Sequence, residues 1–152
     1  MYTEKIRLLQ LLVVIIIASQ GIFYFIGCAE AMKHLTVPVF ADYRKALDSV
    51  IAGRLRILYY SALILGITVL ILSRQHMSGL VFICTLVATI CILVDVLLAL
   101  KESIPINAQF NQYPAGDVSD WRSLQLSWVK LIVIRGVFSS TALVALLVSW
   151  LC

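Results

Sequence analysis

Four long stretches of apolar residues, separated by polar and charged connections, dominate the chain. They cover residues 8–28, 55–73, 79–100 and 129–151. A bilayer core of about 30 Å needs about 20 apolar residues per helix, and each stretch has that length. The stretches do not alternate with period two, which favours helices over the strands of a barrel. We therefore expect an all-α fold: an integral membrane four-helix bundle, with residues 1–152 as a single transmembrane domain.

Four spans would place both termini on the same side of the membrane, which we call side A. The connection over 74–78 also lies on side A and makes the second and third helices an antiparallel hairpin. Two long loops, over about 29–54 and 101–128, would lie on the opposite side, side B. Ala29-Glu30-Ala31 resembles a signal-peptide cleavage site, but we expect the first span to be retained.

Both long loops contain helix signals. In the first, Pro38 marks a helix start. Apolar residues follow at three- and four-residue spacing: Phe40, Tyr43, Leu47, Val50 and Ile51. This pattern predicts an amphipathic helix in the interface plane that runs into the second span. In the second loop, Pro105 should end the third helix, residues 113–117 predict a turn, and Ser119 or Asp120 could cap the helix that leads into the fourth span.

The overall composition supports membrane insertion and excludes several classes of protein. Hydrophobic residues make up 62% and charged residues 13% of the 152 residues, and the mean hydropathy is +1.01. These values exclude a disordered chain and an ordinary soluble domain. The net charge of +4 is modest, and no basic cluster indicates nucleic-acid binding. We expect the bacterial inner (plasma) membrane; the Lys and Arg excess on side B formally favours a cytoplasmic side B, and the orientation stays open.

Residues that commonly bind metals or cofactors are sparse. The cysteines are Cys28, Cys84, Cys91 and Cys152. They form no CxxC pair, and we interpret them as small buried hydrophobic side chains. His34 and His76 fall on opposite sides of the membrane and could not share a metal. The chain has no nucleotide-binding glycine loop and no serine-nucleophile motif, so we expect no cofactor and no metal site.

Two charged residues interrupt the apolar stretches. Asp95 lies six residues from the end of the third stretch, and Arg135 lies seven residues into the fourth. At 1.5 Å per residue, both lie roughly 8–10 Å below the side B boundary. A charge in a span costs at least about 2.5–3.5 kcal/mol and usually faces the bundle interior in a pair. We therefore predict an Asp95–Arg135 ion pair.

Other polar and aromatic residues lie at the same depth. They are Gln20, Tyr24, Arg56, Tyr59, Tyr60 and Trp128. We interpret Asp95 and Arg135 as candidate catalytic residues, and this larger set as ligand-binding residues of a pocket in the side B half. Alternatively, the pair only fixes helix order and register, and Tyr59, Tyr60, Trp121 and Trp128 form an interfacial aromatic belt.

The segment that links the third and fourth spans carries a more specific pattern. A Pro-x-Asn motif, Pro105 to Asn107, follows the third span, and Trp128 and Arg135 stand seven residues apart at the start of the fourth. Together with Gly21 on the first helix, these residues resemble the anthrone-oxygenase-like family. This is a group of small four-helix membrane proteins, also known as domain of unknown function 1772. The resemblance covers most of the chain in topology.

The resemblance implies a cofactor-independent oxygenase that acts on polycyclic phenolic anthrones in some relatives, whereas most members have no assigned activity. It adds Asn107 to the candidate ligand-binding residues and supports Trp128 and Arg135. Family members often carry Asn and His just before the arginine, where this chain has Ile132 and Val133. If those residues serve chemistry in relatives, this chain would lack it.

A transporter or channel is disfavoured, because the sequence shows no inverted repeat and no helix broken inside a span. Two functions stay open. The first is a multi-pass membrane enzyme, an oxidoreductase, that binds a planar apolar or phenolic small molecule in the side B pocket. There Arg135 would stabilise a developing phenolate, and Asp95 would orient Arg135 or act as a base. The alternative is a non-catalytic membrane assembly or lipid-binding subunit in which the Asp95–Arg135 pair is structural. The expected partners are membrane lipids, the small molecule, and a homo-oligomer or larger membrane complex, with no nucleic acid.

Overall fold

The computed structural model describes residues 2–77, 79–115 and 118–151, and this part of the chain is almost entirely helical, with no strand. Its α-helices are α1 (Tyr2–Phe23), α2 (Ala29–His34), α3 (Val37–Leu72), α4 (Leu80–Leu98), α5 (Ile104–Asn111) and α6 (Trp121–Leu151). A π-helical turn, Tyr24–Cys28, joins α1 to α2 with a kink at Gly27, whose backbone is not helical, and a second π-helical turn, Ala99–Ser103, joins α4 to α5. A 3₁₀ turn, Arg74–His76, follows α3.

Four helical segments are long and apolar enough to cross a membrane, which confirms the prediction of an all-α integral membrane protein. They are Thr3–His34, Val37–Leu72, Leu80–Asn111 and Trp121–Leu151, of 31 to 36 residues each. At 1.5 Å per residue the two uninterrupted helices, α3 and α6, measure about 54 and 46 Å. They are therefore longer than a bilayer core of about 30 Å.

Most residues of the two long loops expected on side B belong instead to these helical segments, which explains why the segments exceed the length of a bilayer core. Between the first and second spans, Leu35 and Thr36 are the only non-helical residues. The helix start predicted at Pro38 is confirmed to within one residue, because α3 begins at Val37. The prediction that this helix runs into the second span is confirmed, since both belong to one continuous helix of 36 residues. An unbroken helix that continues into the span does not lie in the membrane plane, so that part of the prediction was wrong.

The buried face of the first turns of α3 also differs from the predicted apolar stripe. Of that stripe, Phe40 is buried as predicted, but Tyr43 and Val50 are exposed, and Arg44 is buried instead. The reason is a long-range contact: the Phe40 ring packs edge-on against the rings of Phe110, at 5.0 Å, and Trp128, at 5.5 Å. Anchoring of Phe40 turns Arg44, one helical turn later, toward the interior.

Pro105 does not end the helical segment of the third span, contrary to the prediction. The regular α-helix ends at Leu98, the second π-helical turn follows, and α5 begins at Ile104. The Ile104 N–H bonds to the Ala99 carbonyl, five residues back. Pro105 therefore lies in the first turn of α5, where a missing N–H is tolerated.

The start of α6 agrees with one of the two predicted caps. The Asp120 side chain accepts a hydrogen bond from the Ser123 N–H, with an N···O distance of 3.0 Å. Of the turn predicted over 113–117, the structure describes residues 113–115 as a turn. Gly116 and Asp117 lie outside the described residues, as do Ser78 of the predicted hairpin connection and Cys152.

Two clusters of buried side chains form the core. The first joins α1, α3, α4 and α6 and is mainly aliphatic: Leu11, Val14, Ile17, Tyr59, Ala62, Ala88, Ile92, Ala142 and Leu146. The second is rich in aromatic residues and includes Tyr24, Met32, Phe40, Phe110 and Trp128. We call the end of the bundle that contains this aromatic cluster the cavity end.

A glycine pair allows α1 and α6 to approach closely below the cavity end. A Cβ atom built on Gly21 would lie 2.5 Å from the Gly136 Cα, and a Cβ on Gly136 would lie 2.9 Å from the Gly21 Cα. No larger residue fits at either position without separation of the helices. Arg135 directly precedes Gly136, so this contact also fixes the height of Arg135 in the bundle.

At the opposite end, the beginning of α1 contacts the end of α6. Arg7 Nη2 donates a hydrogen bond of 2.7 Å to the Ser149 carbonyl oxygen. The Arg7 guanidinium also lies 4.8 Å from the Trp150 ring centroid.

Candidate functional site

The predicted Asp95–Arg135 ion pair is confirmed. Arg135 Nε donates to Asp95 Oδ1 at 2.6 Å, and Asp95 is fully buried. The two residues come from α4 and α6, and the similar depths inferred from the sequence place them side by side. Because Asp95 is shielded from solvent, this pair holds much more of its Coulomb attraction than a surface pair would.

Polar side chains from two further segments complete this group, which we call the Arg135 cluster (Tyr59, Asp95, Ser103 and Arg135). Tyr59 on α3 donates its hydroxyl proton to Asp95 Oδ2 at 2.6 Å. Arg135 Nη1 donates to Ser103 Oγ at 3.1 Å, and Nη2 donates to the Tyr59 hydroxyl oxygen at 3.2 Å. Both Asp95 oxygens are engaged, so the guanidinium plane is held in one orientation.

The second π-helical turn positions Ser103 for this contact. The turn contains one residue more than a regular α-helical turn, which shifts the residues beyond it around the helix axis. Ser103 is buried and is the last residue of the turn. The wide turn thus places a hydroxyl oxygen opposite Arg135 Nη1.

A second polar group lies nearer the cavity end, and we call it the Arg44 cluster (Arg44, Asp48, Asn107 and Trp128). Trp128 Nε1 donates to Asn107 Oδ1 at 2.9 Å, and Asn107 Nδ2 donates to Asp48 Oδ1 at 3.3 Å. Arg44 Nη2 lies 3.5 Å from the same Asp48 oxygen. The Arg44 guanidinium stacks 4.5 Å from the centroid of the Trp128 ring.

A cavity of about 290 Å³ is lined by the Arg44 cluster and by Tyr59, Ser103 and Arg135 of the Arg135 cluster. Its apolar wall includes Ile51, Leu55, Val96, Leu100, Ile104 and Ile132. Ligand pockets typically measure about 300–1,000 Å³, so this one suits a molecule of a few rings rather than a whole phospholipid. The combination of an apolar wall with a few oriented polar groups is typical of small-molecule sites.

The cavity opens sideways between two helices. Of its lining residues, the exposed ones all lie on α3 or on the segment 99–111. On α3 these include Ala52 and Tyr60, and on the facing segment Leu100 and Ile104. Tyr60 and Leu100 belong to the apolar stretches that predict the second and third spans. The deep end of the opening therefore has the composition of a surface that faces hydrocarbon.

The structure brings the candidate residues of the sequence together. Eight of the nine line the cavity: Gln20, Tyr24, Arg56, Tyr59, Tyr60, Asn107, Trp128 and Arg135. Asp95 lies behind Arg135 and instead lines a void of about 10 Å³, together with Ser139 and Gln20. Asp95 thus has no direct access to a molecule in the cavity, and its contact with such a molecule runs through Arg135 and Tyr59.

The residues proposed as an aromatic belt do not share one environment. Tyr59 and Trp128 are buried, Trp121 is half-buried, and Tyr60 is 50% exposed. The Tyr24 ring packs edge-on against Trp128, with 6.0 Å between ring centroids. Of these candidates, Tyr60 alone has the exposure expected of an interfacial anchor.

Sequence reasoning missed Arg44, Asp48 and Ser103. Arg44 and Asp48 are four residues apart and hence on one helix face, and Phe40 is four residues before Arg44. That spacing was a usable signal, but the competing stripe through Tyr43 and Val50 concealed it. Nothing in the sequence marks Ser103, because its position depends on the π-helical turn.

The candidate metal ligands and thiols were also located in the described part of the chain. No group of three or more His, Cys, Asp or Glu side chains is close enough there to hold a metal ion. Cys28, Cys84 and Cys91 are free thiols; Cys84 is buried, as predicted, and the other two are half-buried.

No model of a known protein family matches the chain, and no curated protein or solved structure matches it either. The anthrone-oxygenase-like resemblance therefore stays a prediction, carried by Gly21, the Pro-x-Asn motif and the Trp128–Arg135 spacing. The candidate site is therefore defined by the contacts among its residues and by the cavity they line, not by similarity to a known protein.

Proposed function

We propose that this multi-pass membrane protein binds a planar apolar or phenolic small molecule in the cavity between the Arg135 and Arg44 clusters. The observation that carries the proposal is a cavity of about 290 Å³ whose deep end presents a partly buried, oriented guanidinium. Three hydrogen bonds to Asp95, Ser103 and Tyr59 use three of the five N–H groups of Arg135. The remaining two can donate to an oxygen of the ligand.

Charge complementarity favours a ligand with an acidic oxygen. Arg44, Arg56 and Arg135 line the cavity with Asp48, and Asp95 lies behind it. Three arginines and two aspartates leave one net positive charge. A phenolate or enolate oxygen beside Arg135 would neutralise that charge in a site largely shielded from water.

We further propose a reaction class, cofactor-independent oxygenation, on the basis of the family resemblance. In that reaction an anthrone and O₂ give an anthraquinone and water: the anthrone loses a proton to water to form the electron-rich enolate, the enolate carbon bonds to O₂, and the O–O bond breaks as the second oxygen leaves with two protons as water. The residues of this chain would hold the enolate: Arg135 by charge, and the Trp128 ring and aliphatic wall by contact. Asp95 would act as a positioning residue, because both its oxygens already bond to Arg135 and Tyr59.

The experiment measures binding of 1,8-dihydroxyanthraquinone and O₂ consumption with 1,8-dihydroxy-9-anthrone by the purified protein in detergent. We expect saturable quenching of tryptophan fluorescence, and O₂ uptake above the uncatalysed rate. Ala52→Phe fills part of the cavity and should abolish both signals. Ala46→Phe is the control, since Ala46 is exposed on the same helix and does not line the cavity.

The outcomes separate the two levels of the proposal. Absence of saturable binding, or equal binding by the Ala52→Phe and Ala46→Phe variants, would contradict the binding function. Binding without O₂ uptake would refute the oxygenase and leave a binding protein.

A second candidate is the non-catalytic membrane assembly or lipid-binding subunit. Both oxygens of Asp95 already accept hydrogen bonds. This favours the non-catalytic function, because a purely structural ion pair needs no hydrogen-bonding site left open for a ligand. Co-purification of a larger membrane complex, or a homo-oligomer, without small-molecule binding would support this function.

The proposal also includes the type of membrane and the side of it on which the termini lie. We propose that both termini lie on one side of a bacterial inner membrane, which the contact between Arg7 and Ser149 supports. The Arg44 cluster then lies toward the opposite side.

A further inference from the structure

Arg44 is a buried cation whose hydrogen-bonding capacity is almost unused. Its side chain is 5% exposed, and its Nε has no hydrogen-bond partner among the described residues. Among the described residues its one ion-pair partner is Asp48, with 3.5 Å between Arg44 Nη2 and Asp48 Oδ1. Arg135, by comparison, makes three hydrogen bonds.

The surroundings of Arg44 supply attraction but few acceptor oxygens. Stacking on Trp128 at 4.5 Å gives a cation–π contact, which places no oxygen against the five N–H donors. Asp48 also accepts a hydrogen bond from Asn107, so its carboxylate is shared between Asn107 and Arg44. A buried guanidinium is costly unless its donors are bonded, and Arg44 lines the cavity, where a ligand could provide the acceptor.

We propose that Arg44 forms an anion subsite at the outer end of the cavity, which binds an acidic group of an amphiphilic ligand. The inference rests on the proposed function for one part only, namely that the ring system of the ligand occupies the cavity. Carboxylate, phenolate and phosphate oxygens all fit a guanidinium fork. The shared chemistry is an anionic oxygen, carried either by a free ligand or by a lipid headgroup.

The spacing of the two clusters defines the ligand class further. Trp128, against which Arg44 stacks, precedes Arg135 by seven residues on α6, which corresponds to about 10 Å along the helix. The subsite and Arg135 are thus about two helical turns apart. The expected ligand is a flat, apolar body with one oxygen near each end.

The first arm of the test uses a matched pair of ligands in phosphatidylcholine nanodiscs: 1,8-dihydroxyanthraquinone and its 3-carboxylate. The wild-type protein should bind the carboxylate more tightly, and Arg44→Gln should lose that preference by about tenfold or more, the value of a charge-assisted hydrogen bond. Arg54→Gln is the control, because Arg54 is exposed on the same helix and does not line the cavity.

Asp48→Asn separates anion binding from a structural role of Arg44. This variant removes the negative charge beside the guanidinium, so the carboxylate ligand should bind several-fold more tightly. A structural role alone predicts no gain for this variant. Thermal unfolding of each variant identifies any that fails to fold.

The second arm measures retention of phosphatidylglycerol through detergent purification by mass spectrometry. Retention by wild type and Arg54→Gln but not by Arg44→Gln would support the subsite with a headgroup as the source of the anion. Carboxylate preference that depends on Arg44, without lipid retention, would support a free ligand.

The two proposals fail in different ways. If the wild type binds neither anthraquinone, the proposed function fails and the lipid arm alone decides on the subsite. If Arg44→Gln changes neither ligand preference nor lipid retention, or the wild type shows neither property, the anion subsite is refuted while the cavity can still bind a neutral ring.

Discussion

The Asp95–Arg135 pair gives a quantitative test of how the bundle is stabilised. We consider Asp95→Asn, Arg135→Gln and the double variant. Asp95 is fully buried and its Oδ1 lies 2.6 Å from Arg135 Nε. Either single substitution therefore leaves one buried charge without its partner, which costs about 3–5 kcal/mol of unfolding free energy.

The double variant leaves no charge in this position, and the two amides can bond to each other and to Tyr59. Its cost should not exceed that of the larger single effect. Additivity would require about 6–10 kcal/mol, so the coupling free energy should be at least about 2 kcal/mol, even if the unfolded state in detergent retains polar contacts.

The assay is reversible unfolding in mixed micelles, followed by circular dichroism and tryptophan fluorescence. Arg54→Gln, with an exposed arginine on α3, should change the unfolding free energy by less than about 0.5 kcal/mol. Effects of the two single substitutions that add within about 0.5 kcal/mol in the double variant would refute the coupling.

Two further predictions concern packing and connection of the helices. Gly21→Ala should lower the free energy of unfolding by about 1–3 kcal/mol through overpacking against the facing glycine. Gly53→Ala, whose added Cβ would meet no other part of the structure within 4 Å beyond its own helix backbone, should be neutral or slightly stabilising in thermal melts. Gln125→Leu should cost about 1–3 kcal/mol, because Gln125 is fully buried and donates to the Leu35 carbonyl in the link between α2 and α3. Gln109→Leu, at an exposed position, serves as its control, and equal effects of the two substitutions on chemical unfolding would contradict this role.

The four spans could be predicted from the sequence because lipid imposes a simple requirement on it. Each span needs about 20 apolar residues, and this chain supplies four such runs. The helices outside the lipid obey no such rule. The continuation of α3 back to Val37 was indicated by Pro38 and the periodic apolar residues after it, but its buried face depends on the packing of Phe40. The passage of α5 through Pro105 depends on a π-helical turn, which leaves no periodic pattern.

The deep part of the site was equally predictable, and its outer part was not. Asp95 and Arg135 are charged residues in apolar runs at equal depth, so the cost of unpaired charge predicts their contact. Arg44 lies in a mixed segment where two helix faces are plausible. Its inward direction follows from the packing of Phe40 against Phe110, which lies 70 residues away in the sequence.

The sideways opening between α3 and the segment 99–111 determines which ligand concentration governs binding to this protein. A flat apolar molecule partitions into the bilayer, by about 0.8 kcal/mol for each buried methylene equivalent. The protein would then sample the mole fraction of ligand dissolved in the surrounding leaflet, not its concentration in water. An apparent dissociation constant expressed in aqueous units would rise in proportion to the amount of lipid added, while the constant expressed per mole of lipid would stay fixed.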